Sequence, residues 1–254
     1  MSEPIQSRRR IWPWFVIPSV VLLALLLTKR MVSEPRGDEG SPMRTPVAVE
    51  TPRLRDGGHT LPVEEGDKHL HEQAAKWSTD PMYERWLAML SLRHLVAAAQ
   101  MVADGESPRS ALPFLSIPGE FTAEDDRVIS PKSYARYDVI ARVAGSVNAA
   151  AAGDAYGKFK PFLDSAFAEI GRPGKDLNEV LSNAITKVTN VKFPEGEVEL
   201  VPKGAVYAFK DPALEGMSKA EKQILRMGSK NGSVLQNQLR VFGEHARLMP
   251  QNVR

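Results

Sequence analysis

"MSKAEKQILRMGSKNGSVLQNQLRVFGEHARLM", residues 217–249, decides the fold class because its apolar residues recur at helical spacing. Ser218 and Glu221 have the spacing of a capping box, in which two side chains satisfy free amides at the start of a helix. Gly228 predicts the end of that helix, and we expect a last helix from about Asn231. The expected apolar positions are Ile224, Leu225, Met227, Val234, Leu235, Leu239 and Phe242.

Helical periodicity also runs through the middle of the chain. We predict helices within residues 78–90, 91–106, 130–152, 153–171 and 175–191. Asp80, which precedes Pro81, and Ser91 are residue types that cap helix N-termini, and we expect Ser133 to cap the third of these helices. Pro161 is expected to kink or restart the fourth helix, since proline removes a backbone hydrogen bond.

Two short β elements are expected between the helices. Phe121 and the pair Val128–Ile129 flank the polar run Glu124–Asp126, a pattern typical of a hairpin with a solvated tip. The stretch "VELVPKGAVYAFK", residues 198–210, alternates apolar and polar residues on both sides of a Pro-Lys-Gly turn. The fold class is therefore mainly α: a compact helical domain with two small β elements at residues 77–249, followed by a tail at 250–254.

Near the N-terminus, "IWPWFVIPSVVLLALLLT", residues 11–28, is long and apolar. As a helix it measures about 27 Å, close to the hydrocarbon core of about 30 Å, and Lys29 and Arg30 can extend their charges to the interface. No small-x-small cleavage site follows Leu27, as a signal peptide would require. We therefore predict a retained transmembrane anchor at residues 11–30, with the lipid bilayer as its partner.

Orientation follows from the basic residues beside this anchor. Arg8, Arg9 and Arg10 form a dense cluster before it, whereas the basic residues after it are more spread out. Because Lys and Arg concentrate on the cytoplasmic side of membrane segments, residues 1–10 are predicted to be a cytoplasmic tail. The protein would then be a single-pass protein of the bacterial inner membrane, with its C-terminal domain in the periplasm.

Residues 31–76 differ in composition from the rest of the chain. They are rich in Pro and Gly, carry charges of both signs and contain no aromatic residue. Such a segment buries too little apolar surface to offset its ordering entropy, so we predict a disordered linker. His69 and His71 lie in it without a Cys or carboxylate partner at a spacing typical of zinc.

Composition and motifs point away from several chemistries. The formal charge is only +2, and Cys is absent, which excludes disulfides, thiol nucleophiles and thiolate metal sites. The stretch "GRPGKD", residues 171–176, lacks the spacing of a phosphate loop, and the acidic run at 124–126 lacks the ligand spacing of a calcium loop. We therefore predict no catalytic residue, cofactor, metal site or nucleic-acid partner.

Three further stretches carry a family resemblance: "YARY" (134–137), "KFKPFLDSAFAEIG" (158–171) and "VYAFKDPALEGMSKAEKQILRMGSKN" (206–231). Together they resemble the bacterial family catalogued as domain of unknown function 3014, over roughly residues 78–248. The resemblance implies an N-terminal anchor and a Pro-rich segment before the domain, and no activity. This chain departs from the family pattern in the Ala-rich run Asn148–Ala152 and in a more polar segment after Gly171. The matching positions are Arg136, Tyr137, Phe159, Pro161, Phe162, Phe209, Asp211, Pro212, Leu214, Glu215, Lys222, Leu225, Arg226, Met227, Gly228 and Asn231.

Charged and aromatic residues within these motifs give a candidate interaction surface. Lys222 and Arg226 stand four residues apart and share one helix face, where they could bind a carboxylate or a phosphate. Alternatively, Asp211 or Glu215 pairs with them and fixes the preceding turn to the helix. The whole candidate surface comprises Tyr134, Arg136, Tyr137, Asp211, Glu215, Lys222, Arg226 and Asn231.

Three functions remain open at this point. The first is a non-enzymatic interaction domain in the periplasm that binds a protein or an envelope polymer. The second is an envelope hydrolase that uses Asp211 or Glu215 as acid or base. The third is a cytoplasmic-facing module that binds anionic partners through the basic stretch at residues 203–254.

Overall fold

Helices build most of the part of the chain that the structure describes. The computed structural model describes residues 61–170, 174–204 and 206–249, and helices hold 61% of these residues. In chain order the elements are α1 (Val63–Ala74), α2 (Pro81–Leu87), α3 (Leu92–Ala103), a 3₁₀ turn (Pro108–Ser110), β1 (Ala123–Glu124), β2 (Val128–Ile129), α4 (Pro131–Ala135), α5 (Asp138–Ser146), α6 (Ala149–Glu169), α7 (Leu177–Thr189), β3 (Leu200–Lys203), β4 (Val206–Phe209), α8 (Pro212–Glu215) and α9 (Lys219–His245). The prediction of a mainly helical domain with small β elements is confirmed.

Most of the predicted caps are present. The Asp80 side chain accepts a hydrogen bond from the amide of Met82, and Ser91 and Ser218 each belong to a capping box. The third cap was predicted wrongly. Ser130 caps α4, because Pro131 occupies the first helical position, whereas the buried Ser133 hydroxyl donates to the carbonyl of Thr122 at 2.8 Å.

The helix predicted at 130–152 is divided into three. Val147 adopts an extended backbone conformation after α5, and the Asn148 side chain then accepts from the amide of Ala151 to start α6. Asn side chains compete for nearby backbone amides, which favours a new N-terminus over a continued helix. Helix α6 does not restart at Pro161. Burial of side chains on both sides of the proline, such as Tyr156 and Leu163, offsets its cost of about 3 kcal/mol.

Helix α1 corrects the predicted domain boundary. The linker was predicted to extend to residue 76, yet Val63, Leu70 and Ala74 are buried in the folded domain. A Cβ atom on Gly66 would lie 2.6 Å from Leu92 Cδ1, so α1 packs closely against α3. The sequence of α1 is too polar for its periodicity to indicate a helix. The helix is nevertheless stable, because tertiary packing supplies most helical stability. The predicted tail 1–10, anchor 11–30, linker residues 31–60 and tail 250–254 lie outside the described residues.

Two clusters of buried side chains form the core. The first core cluster joins α1, α3, α6 and α7 and includes Leu92, Val96 and Phe159. The second core cluster includes Tyr137 and Leu225 and joins the hairpins to α5, α7 and α9. Helix α9 contacts both clusters along its length. It therefore connects the two halves of the domain.

Both predicted β elements are antiparallel hairpins. Strand β1 pairs with β2, and β3 pairs with β4 with Leu200 opposite Phe209. A bridge between Val128 and Glu199 joins the two hairpins. Among the helices of residues 61–170, 174–204 and 206–249, no single one is long and apolar enough to cross a membrane.

Candidate functional site

A cavity of ≈ 350 Å³ beside the hairpins brings three arginines together. We call it the arginine cleft. Its walls combine guanidinium groups with aromatic rings, and the rings of Phe121 and Tyr207 lie 6.0 Å apart. The full lining is Arg109, Phe121, Arg136, Tyr137, Leu200, Val206, Tyr207, Phe209 and Arg226.

Different elements position the three arginines. Arg136 directly follows α4, and its Nε donates to the carbonyl of Pro118 at 2.9 Å. Arg226 lies on α9 with its guanidinium carbon 5.7 Å from the centroid of the Phe209 ring, a cation–π contact. Arg109 is exposed in the 3₁₀ turn. The cleft therefore depends on the tertiary fold rather than on one sequence motif.

No carboxylate lies within salt-bridge distance of these arginines in the described part of the chain. Asp126 accepts a short hydrogen bond from the hydroxyl of Tyr207, one of the lining residues. That hydrogen bond raises the pKa of Tyr207, so its hydroxyl stays protonated. Guanidinium groups form bidentate hydrogen bonds with carboxylates and phosphates. The cleft is thus chemically suited to bind an anionic group.

Three charged residues that were predicted beside Arg226 form contacts outside the arginine cleft. They are Lys222, Glu215 and Asp211. Lys222 Nζ lies 3.0 Å from Glu215 Oε1, and Glu215 Oε2 accepts from the amide of Phe209. Bonding to Lys222, and then to the Phe209 amide, lowers the pKa of Glu215 below its ordinary value. Asp211 caps α8 by accepting from the amide of Ala213 at 2.8 Å. These contacts match the alternative in which the turn is fixed to the helix.

Asn231 lies in the second segment of α9, after a break at Gly228, where a last helix was predicted. It is buried, and its Nδ2 donates to the carbonyl of Tyr134 at 3.0 Å and to Asp138 at 2.9 Å. The chain leaves helical geometry at Gly228, with φ 72° and ψ 166°, so α9 consists of two helical segments joined by a kink, and the predicted helix end at Gly228 is confirmed. A Cβ atom on Gly228 would lie 2.7 Å from the Tyr134 ring. Gly228 and Asn231 therefore join α9 to α4 and α5. Both residues line a cavity of ≈ 280 Å³ that we call the motif pocket.

The predicted surface is thus divided among three places. Arg136, Tyr137 and Arg226 line the arginine cleft. Asp211, Glu215 and Lys222 fix α8 and β4 to α9, and the remaining pair, Tyr134 and Asn231, borders the motif pocket. Tyr137 is 1% exposed, and its hydroxyl accepts from Gln223 Nε2 at 2.8 Å. It forms the inner wall of the cleft.

Sequence reasoning missed several of the lining residues. Arg109, Phe121 and Tyr207 line the cleft from segments far apart in the chain, so no local spacing reveals them. The aromatic residues that flank the hairpin turns were the only available signal. Ser107 was also missed, and its buried Oγ has no hydrogen-bond partner in the described structure.

Two further cavities have almost wholly apolar walls. One, of ≈ 330 Å³, lies between α3, α5, α7 and α9, and we call it the apolar cavity. The other, of ≈ 310 Å³, lies within the first core cluster, and we call it the inner cavity. Leu181 and Phe242 line both of them.

The histidines show no metal-binding arrangement in the described residues, where no group of three or more His, Asp or Glu side chains could hold a metal ion. His94 Nδ1 accepts from the amide of Ser91 in the capping box. His245 Nδ1 lies 2.9 Å from Asp154 Oδ1, and His71 Nε2 lies 2.8 Å from the carbonyl of Leu90. Each of these three rings therefore has a local structural contact.

In comparison with known proteins, the family model described as "Protein of unknown function (DUF3014)" matches residues 91–242. All residues that line the arginine cleft and the apolar cavity fall within that stretch. No curated protein and no solved structure matches the chain.

Proposed function

The chain belongs to the family described as protein of unknown function (DUF3014), and from that premise we propose that its folded domain is a non-enzymatic binding module. Its arginine cleft would bind a carboxylate or phosphate group of an envelope protein or polymer. The observation that carries this proposal is the convergence of Arg109, Arg136 and Arg226 without an acidic partner in the described structure.

Electrostatics supports this assignment. Like charges held in one cleft repel each other, and a partly buried site strengthens that repulsion relative to bulk water. An anion that enters the cleft would relieve this repulsion and form charge-assisted hydrogen bonds, each of about 1.5–3 kcal/mol. The Phe209 ring beneath Arg226 holds that guanidinium in place, so less rotamer entropy is lost when the ligand binds.

Membrane attachment is a second part of the proposal. Residues 11–30 would anchor the chain in the bacterial inner membrane as a single-pass helix, supported by the apolar stretch at 11–28. The cluster Arg8–Arg10 favours a cytoplasmic N-terminus, which would put the folded domain in the periplasm.

The opposite orientation would make the domain a cytoplasmic-facing module for anionic partners, and the arginine cleft would suit that role equally. A tag fused after Arg254 distinguishes the two orientations. Protease added to spheroplasts should remove the tag while the inner membrane stays intact. Survival of the tag until detergent is added would assign the domain to the cytoplasm.

The described residues give no support to an envelope hydrolase that uses Asp211 or Glu215. A general acid needs a pKa near the working pH, which a carboxyl pair in a cleft can provide. Lys222 instead lowers the pKa of Glu215, and Asp211 is an exposed helix cap. Neither carboxylate lines the arginine cleft.

Titration with small anions tests the binding module. The full chain in nanodiscs of zwitterionic lipid would be titrated calorimetrically with pyrophosphate and with citrate. We expect saturable binding of at least one anion. In the double variant Arg136→Gln/Arg226→Gln we expect binding weakened at least about tenfold, because a lost charge-assisted hydrogen bond exceeds the 1.4 kcal/mol that tenfold requires.

Arg85→Gln is the matched control, since Arg85 is exposed on α2 and lines none of the four cavities described above. It should bind like the unmodified chain. Thermal unfolding of each variant checks that the fold persists. If neither anion binds, or if the double variant binds as well as the control, the proposal is wrong.

A further inference from the structure

The arginine cleft adjoins the apolar cavity. Arg109 and Tyr137 line both of them, so the two spaces share a wall. Leu181 and Phe242 are likewise shared by the apolar cavity and the inner cavity. The apolar cavity therefore lies between the other two spaces, and the arginine cleft is at one end of the row.

The walls of the apolar cavity are mostly aliphatic. Ala98, Ala184, Ile224 and Leu235 are typical of them. Protein interiors are packed closely enough that voids larger than a water molecule are few. A cavity of ≈ 330 Å³ has the size of a ligand site, and apolar walls favour an apolar occupant over water.

Polar groups along this path are few and concentrate near the cleft. Gln223 lines the apolar cavity and donates to the Tyr137 hydroxyl, so its amide nitrogen is satisfied. The Ser107 hydroxyl has no partner among the described residues and also lines the cavity. A ligand that fits all of these groups has an anionic end, a short polar neck and an apolar chain.

We propose that the domain binds a single-chain anionic amphiphile, with its carboxylate or phosphate head at Arg109, Arg136 and Arg226 and its chain in the apolar cavity. This inference rests on the proposed function and names the ligand class of the same site. Cavities in series accommodate one chain, whereas a two-chain lipid needs two parallel channels. The predicted anchor at residues 11–30 would hold the domain beside a bilayer, which is a source of such molecules.

Photolabelling locates such a ligand directly. The full chain in zwitterionic nanodiscs would be irradiated with diazirine-bearing palmitate, with diazirine-bearing lysophosphatidate, or with diazirine-bearing lysophosphatidylcholine, and the labelled peptides would be mapped. The first two probes distinguish a carboxylate head from a phosphate head, and the third is a zwitterionic control. We expect at least one anionic probe to label residues 98–117 or 181–188 at least about tenfold more than the control probe does.

Variants that fill the apolar cavity separate this inference from the proposed function. Ala98→Leu and Ala184→Leu add volume to the cavity from two different helices, α3 and α7, and either should reduce labelling about tenfold while pyrophosphate or citrate binding is kept. Two variants are used because Ala184 is buried and its replacement carries a greater risk to folding than that of the half-buried Ala98. Ala168→Leu, on an exposed position of α6, is the matched control and should label normally.

The outcomes differ for the two proposals. Small-anion binding without cavity labelling overturns the amphiphile and keeps the binding module. Labelling confined to residues 11–30 assigns the probe to the bilayer and also overturns the inference. Absence of labelling with every probe also overturns the inference. That result is expected if another segment of the chain fills the cavity.

Discussion

Arg93 and Arg226 both lie on long helices, but their surroundings differ. Arg93 on α3 contacts Glu64 of α1 at 2.8 Å and Glu169 of α6 at 2.6 Å. Arg226 on α9 contacts the Phe209 ring and has no carboxylate within salt-bridge distance among the described residues. The Arg93 charge therefore links three helices, whereas the Arg226 charge has no ion-pair partner in the part of the chain that the structure describes.

Burial of two core leucines also differs between the halves. Leu92 of the first core cluster is 0% exposed, although it borders the inner cavity. Leu235 packs against the second core cluster, lines the apolar cavity and is only partly buried. Truncation of Leu92 therefore removes more buried apolar surface than truncation of Leu235.

The largest expected effect tests this difference in burial. Leu92→Ala should lower the free energy of unfolding by about 2–5 kcal/mol, since it removes most of a fully buried side chain. Leu235→Ala should cost clearly less, because its side chain is only partly buried. Guanidinium unfolding of the full chain, followed by tryptophan fluorescence, measures both. Equal losses would show that the difference in burial has no effect on stability.

A smaller effect concerns the two arginines. Arg93→Gln should lower the unfolding temperature, because two carboxylates lose their partner. Arg226→Gln should leave that temperature unchanged or raise it, because repulsion within the arginine cleft falls. Repeating both measurements at about 1 M salt, where the Debye length is about 3 Å, should diminish both differences. A loss for Arg226→Gln as large as for Arg93→Gln would contradict the comparison.

The smallest effect is a pH dependence at the edge of the cleft. Bonding to Lys222 holds the pKa of Glu215 below its ordinary value of 4.5 in the folded state. A lowered folded-state pKa contributes stability above the unfolded value, and that contribution is lost as the pH falls through the folded value. Glu215→Gln should therefore show a flatter loss of stability below about pH 4.5 in acid unfolding. Glu195→Gln, at an exposed loop position, controls for the loss of one charge; an identical acid response of the two variants would exclude a role for the Lys222 contact.

Local signals in the sequence predicted much of the helical framework. Asp80, Ser91 and the pair Ser218–Glu221 all cap helices as expected. Capping depends on residues within three positions of each other, so it is visible in the sequence. Ser130 was missed because Ser133 is an equally good cap by type, and only the packing of Ser133 against Thr122 distinguishes the two.

Non-local structure was predicted less well. Helix α1 has a largely polar sequence, and its burial depends on Leu92 and Phe162, which lie far along the chain. Lys222 and Arg226 were correctly expected to share a helix face, but their partners differ. Glu215 reaches Lys222 from α8, while Phe209 of β4 lies beneath Arg226. The candidate surface was therefore identified in part and grouped incorrectly.

The helical class, the two hairpins and the family could be predicted from the sequence alone, because periodicity, caps and motifs are properties of neighbouring residues. The meeting of Arg109, Arg136 and Arg226 and the apolar cavity beside them could not, because they depend on the packing of distant segments. Burial and the approach of distant charges are set when helices pack, and residues 109 and 226 come together only then. The chemistry of the arginine cleft is a property of that packing.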